Sequence, residues 1–257
     1  MKKYNIIVTI LIVIGFTIIG VYAPANLLSK TTGFISENYI EQENKLTICI
    51  DPGHQQKGDP KLEPVAPGSY EQKARVSSGA TGIATKKPEY ILNLEASLIL
   101  KEILEKNGYN VIMTRQTHGV NISNSERATF ANNNNANLVV RIHADSLNDS
   151  SKTGASILIP AKEGKYTKNI YEVSNNYALC VKESMQNNNI KINGIFERDD
   201  LSGFNWSKVP VILVEMGFLS NYNEDLMMSD LQYQKKLMGS IVEGIQEYEE
   251  KNWESIC

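Results

Sequence analysis

The chain has 257 residues, enough for one or two domains and a sizeable core. Hydrophobic residues at 42% and charged residues at 21% are ordinary globular values. A formal net charge of -3 supplies no basic field, which argues against nucleic acid as a partner and leaves neutral polymers open.

The N-terminus does not read as part of a globular core. Lys2 and Lys3 precede residues 6–22, a stretch without charge, in the pattern of an export signal. The stretch is long for a cleaved signal and slightly short of the roughly 20 residues of a comfortable membrane span. Residues 23–25, Ala-Pro-Ala, have the small-x-small form of a cleavage site. A cleaved signal peptide and a retained membrane anchor over 1–25 are therefore both open, with the balance slightly toward the anchor. The two lysines would keep the N-terminus cytoplasmic and place the remainder outside. Residues 26–45 are polar and read as a linker, and a single domain follows over 46–252.

Within that domain, "LTICI" (46–50) is a continuous apolar run, the pattern of a strand buried on both faces. Cys49 lies inside it as a small core residue. The three cysteines, Cys49, Cys180 and Cys257, are too few and too scattered for a disulfide framework or a metal cluster. Residues 55–88 hold several Gly and Pro without a period and read as a long surface loop.

Residues 88–108 carry Ile91, Leu92, Leu94, Leu98 and Ile99 on one broad helical face, with Pro88 at the start and Gly108 past the end. A strand follows at 109–114. Ser123 and Glu126 form a capping-box pattern that opens a helix. Strands are predicted at 138–144, 155–160 and 209–217, and a helix at 168–187. A last helix begins near Ser229, where Ser229 and Gln232 match a second capping box. This alternation of strands and helices predicts an α/β fold: a parallel sheet with right-handed crossovers, buried between two helix layers.

In such sheets, sites gather outside the carboxyl ends of the strands. His54, His143 and Glu215 all fall at such ends, and Glu89 opens the long helix just after the Gly/Pro loop. Two neutral imidazoles and a carboxylate suit zinc, with a fourth position left to a water whose pKa would fall to about 7. Taken singly, each histidine reads as an ordinary loop residue, and Glu89 as a first-turn acid that any helix favours. Glu215 is harder to dismiss, because an unpaired carboxylate ending an apolar strand is costly. His118 reads as a solvated loop residue that periodicity leaves open as a ligand. Asp51 reads either as a partner orienting His54 or as a turn residue before Pro-Gly.

"IDPGH", "EYILNLEASLIL", "RIHAD" and "VILVEMGFLSN" in this order resemble the successive motifs of zinc-dependent N-acetylmuramoyl-L-alanine amidases of the amidase 3 type, over about residues 46–250. The resemblance implies an α/β domain with a central, mostly parallel twisted sheet and helices on both faces. It implies cleavage of the amide between N-acetylmuramic acid and L-alanine of the stem peptide. It assigns zinc to His54, Glu89 and His143, and the catalytic acid–base role to Glu215. Glu89 is chosen over Glu95 because the family's acid stands four positions before the Asn that is Asn93 here. Two features depart from the pattern: the 55–88 loop is longer, and Arg141, to which no role is assigned, precedes the second histidine where the family often has a serine.

The expected substrate is peptidoglycan. The expected location is extracytoplasmic, membrane-anchored or secreted to the cell wall, with the membrane contacted through an uncleaved N-terminus and a regulatory protein partner allowed. The rival functions are a zinc peptidase acting on another peptide bond and a catalytically inactive wall-binding regulator.

Overall fold

A computed structural model describes residues 46–254. The expected signal or anchor (1–25) and linker (26–45) lie outside the described residues, as does Cys257. Among the described residues, no helix is long and apolar enough to cross a membrane.

The apolar runs become the centre of a six-stranded sheet. β1 (Thr47–Pro52), β4 (Asn110–Met113), β5 (Leu138–Asp145) and β8 (Val211–Phe218) are parallel neighbours in the order β4-β1-β5-β8. β1, β5 and β8 are buried almost throughout, as strands covered on both faces must be.

The remaining strands depart from the all-parallel expectation. β6 (Ala155–Pro160) pairs antiparallel with β8, and β7 (Ile192–Arg198) extends the edge parallel to β6. The reason is the β5–β6 connection, residues 146–154, which contains no helix. A parallel return needs a crossover of a dozen or more residues, so the chain doubles back instead. The sheet is mixed, mostly parallel.

Period-two alternation splits the sheet into two faces. Ile48, Ile50, Val140, Ile142, Ile212 and Val214 belong to the larger core. The helices α1 (Glu89–Lys106), α3 (Lys168–Asn187) and α6 (Leu231–Glu254) contribute Leu100, Val181 and Ile241 to it. Cys49, Val139, Val211 and Leu213 face the other way, into a smaller core with Ala131 of α2 (Asn124–Asn133) and Phe204 of α4 (Ser202–Asn205). Helices thus cover both faces.

Helix ends follow local chemistry. The Ser123–Glu126 capping box forms at α2, and Gly108 sits just beyond α1 with φ of 84°. The second expected box does not form. Ser229 is the C-cap of a short helix, α5 (Tyr222–Met228), which the sequence reading did not include. Asp230 takes over the start of α6, accepting a bond from the Tyr233 amide at 2.9 Å.

The segment 55–88 is not only loop. β2 (Asp59–Pro64) and β3 (Gln72–Val76) form an antiparallel hairpin. It docks on α2 through polar contacts: Arg75 bridges Asp59 at 2.8 Å and Glu126 at 2.7 Å, and Glu63 accepts from the Ser125 hydroxyl at 2.5 Å. A hairpin held by ion pairs gives no hydrophobic alternation to read.

Candidate metal centre and active site

β1, β5 and β8 end at the same edge of the sheet, and the first turn of α1 reaches over that edge. His54 stands two residues past β1 in the left-handed region, with φ of 59°. This conformation is uncommon for a residue with a Cβ, although histidine tolerates it better than most. His143 lies near the end of β5 and is Cα partner to Glu215 on β8, so both side chains leave the same face of the sheet.

Three of the four expected residues converge. One donor atom each from His54, Glu89 and His143 lies within 4.8 Å of the others. His54 Nε2 is 3.1 Å and His143 Nδ1 3.4 Å from the same oxygen, Glu89 Oε1. The two rings meet edge to face with centroids 4.8 Å apart.

The surroundings orient each ligand. His54 Nδ1 donates to the Ser77 carbonyl at 3.1 Å, which leaves Nε2 with its lone pair toward the centre. The Glu89 carboxylate accepts from Asn93 at 3.1 Å and from the amides of Ala80 at 2.9 Å and Ala144 at 3.2 Å. Glycines make room: a Cβ on Gly53 would fall 2.4 Å from the His143 ring, and one on Gly79 2.7 Å from Glu89 Oε2.

Electrostatics agree with a cation site. Burial alone would raise the Glu89 carboxyl, but hydrogen bonds and charge from His143 and His54 hold it well below the usual carboxylate range. Burial pushes His143 down to about 4, so its imidazole is neutral at pH 7. His143 Nε2 is buried with no hydrogen-bond partner. A buried imidazole with an orphan nitrogen, grouped with a second imidazole and a carboxylate, fits a divalent ion of the zinc type, for which these are suitable ligands.

Glu215 stands beside this cluster rather than in it. Its Oε2 is shielded and without a partner. Burial, and then the neighbouring charges of Glu89 and Asp145, push its carboxyl well above the usual range. It lines a cleft of about 610 Å³ with Asp145, Asn193, Phe196 and Arg198.

Other candidates sit elsewhere. Glu95 pairs with Lys87 at 2.6 Å on the outer side of α1. The His118 ring packs against Tyr90, centroids 5.4 Å apart, and is no member of the cluster. Asp51 belongs to the end of β1, and its side chain bonds groups other than the His54 ring. Its buried carboxylate accepts from Arg127 at 2.7 Å, Arg141 at 2.8 Å and Thr114 at 2.5 Å. Arg141 therefore has a partner that sequence reasoning missed. Arg127 also donates to the carbonyls of Pro52 at 2.8 Å and His54 at 2.9 Å, fixing the turn that carries the first ligand. In the sequence, the signal of this network is Arg141, a basic residue inside the apolar run of β5.

The sequence and the fold are similar to those of known proteins. The sequence profile of the N-acetylmuramoyl-L-alanine amidase family matches residues 48–247. An N-acetylmuramoyl-L-alanine amidase of Mycobacterium tuberculosis is 25% identical over 85% of this chain and 93% of its own length. A Staphylococcus saprophyticus protein that bears the name "Probable cell wall amidase LytH" is 24% identical over 79% of this chain. The match spans 58% of that relative's length. The crystal structure of the apo form of the N-acetylmuramyl-L-alanine amidase Ami1 from Mycobacterium abscessus superposes with a TM-score of 0.71 at 25% identity. That match covers 79% of this chain and 98% of the other. With a family match over most of its length and the motif residues gathered at one sheet edge, the chain belongs to the N-acetylmuramoyl-L-alanine amidase family.

Proposed function

We propose that residues 46–252 form a zinc-dependent catalytic domain that hydrolyses the amide between N-acetylmuramic acid and the L-alanine of peptidoglycan stem peptides. The observation that carries this reading is the convergence of His54, Glu89 and His143 within 4.8 Å, with Glu215 beside them. The membership in an amidase family supplies the bond class.

Zinc held by those three residues would polarise the scissile carbonyl and lower the pKa of a water to about 7. The protein's own groups do the rest. Asn93 and the Ala80 and Ala144 amides hold Glu89 so that it does not follow the substrate. Glu215 accepts the proton of the attacking water and returns it to the leaving L-alanine nitrogen. A carboxyl whose affinity for protons is raised by burial suits both steps near neutral pH. The cleft beyond Glu215 is the route by which the stem peptide lies along β6 and β7.

The substrate lies in the cell wall, so the action is extracytoplasmic. The N-terminal 1–25 segment, as signal or anchor, and the 26–45 linker would deliver the domain there. A regulatory protein partner is compatible with this arrangement.

Two measurements test the proposal together. Purified protein should bind one zinc per chain, and digestion of muropeptides should release stem peptides with a free L-alanine amine. Glu215→Gln should keep its zinc and lose amide release. Full activity of that variant, or cleavage at a different bond, would overturn the assignment.

A further inference from the structure

Arg115 follows β4 and is 3% exposed. Its hydrogen bonds all go to main-chain carbonyls: Nε to Pro52 at 2.9 Å, Nη1 to Thr117 at 3.2 Å, and Nη2 to Gly53 at 2.9 Å and Tyr90 at 2.8 Å. Burial pushes its guanidinium down to about 10, a sign that this location disfavours the charge. Burying a cation against neutral carbonyls is costly, and an apolar side chain would fill the same space without that cost. The placement of the carbonyls gives the reason for an arginine. Gly53 immediately precedes His54, and Tyr90 immediately follows Glu89.

We infer that Arg115 is a positioning residue whose guanidinium sets the separation of His54 and Glu89 by clamping the main chain beside each of them. One nitrogen, Nη2, spans both segments. Asn93 closes the same loop from the other side, donating to the Gly53 carbonyl at 3.3 Å and to Glu89 Oε1 at 3.1 Å. The planar fork is essential: Nε and Nη1, bound to Pro52 and Thr117, fix Nη2 between the two segments, and a lysine, with its donors on one atom, keeps the charge but lacks that bracing. Partners that orient metal ligands are worth roughly 10- to 100-fold in metal affinity.

The inference rests on the zinc reading above, and the test separates the two. Zinc affinity is measured on the purified protein by competition with a chromophoric chelator, with circular dichroism recorded on the same samples. Arg115→Lys and Arg115→Gln, the latter without a buried charge, are compared with wild type and with Leu104→Ala. Leu104 is fully buried in the larger core and makes a control for stability loss alone. The expected result is folded Arg115 variants that bind zinc roughly 10- to 100-fold more weakly, with Leu104→Ala binding like wild type. Wild-type protein that binds no zinc would overturn the metal reading and this inference with it. Zinc-binding wild type with Arg115 variants as tight, or with Leu104→Ala equally weakened, would overturn this inference alone. Loss of the fold in both Arg115 variants would also overturn it, since Arg115 would then hold the domain rather than the site.

Discussion

Replacing Asp51 by Asn keeps the shape of the side chain and removes its charge from between two guanidinium groups. The wild-type carboxylate takes Arg127 at 2.7 Å and Arg141 at 2.8 Å, and all three side chains are at most 6% exposed. Breaking a buried pair by removing one partner costs about 3–5 kcal/mol, because the remaining charge stays out of water. Here two charges remain, but their other bonds, Arg127 to the carbonyls of Pro52 and His54 and Arg141 to Asn124, soften the loss. The lower half of that range is expected, about 3–4 kcal/mol. For a domain of this size it corresponds to roughly 6 to 16 °C in melting temperature. Urea unfolding followed by circular dichroism measures it as a lower midpoint with an unchanged slope. The pH dependence has a definite sign. Burial would raise the Asp51 carboxyl, but Arg127 and Arg141 hold it well below its ordinary value of 3.8. Its contribution is therefore fully present above that value and lost as pH falls toward the folded-state value. Asp51→Asn should accordingly flatten the acid side of the stability profile below about pH 4. A loss under about 1 kcal/mol with an unchanged acid limb would show that the two arginines do not depend on this carboxylate.

Gly53→Ala should weaken zinc binding without unfolding the protein, since its Cβ would fall 2.4 Å from the His143 ring and displace it. Calorimetric titration with zinc checks this, and wild-type affinity would refute it. At the start of α6, Asp230→Ala should cost about 1 kcal/mol as the loss of an N-cap. Ser229→Ala should be near neutral, because the Ser229 hydroxyl is buried without a partner. Thermal melts of the pair decide which residue caps the helix.

The three central strands and α1 were legible because their signals are local. Uninterrupted apolar runs mark strands covered on both faces, and α1 carries a broad apolar stripe between Pro88 and Gly108. His54, His143 and Glu215 were legible as strand-end residues for the same reason. What escaped depends on contacts between distant parts of the chain. The β2–β3 hairpin is anchored by Arg75 and Glu63, so its strands show no apolar alternation. β7 is an edge strand with Phe196 half-exposed, and its pattern resembles loop. The reversal of β6 is set by the connection 146–154, which is too short for a helical crossover and carries no apolar pattern of its own.

The buried charges show the same limit more sharply. Asp51 and Arg141 are separated by 90 residues, and nothing near either one predicts the other. In the sheet they are direct Cα partners across β1 and β5. Period-two alternation places Asp51 on the face of Cys49, and Arg141 on the face of Val139 and His143. Once the β1–β5 register is known, the ion pair follows from alternation alone. A one-residue slip would turn one of the two charges into the larger apolar core, where no opposite charge waits. The pair therefore penalises every odd register, and the correct one is the register that brings the turn carrying His54 beside His143. Asp51 and Arg141 thus align the two strands that deliver the histidines.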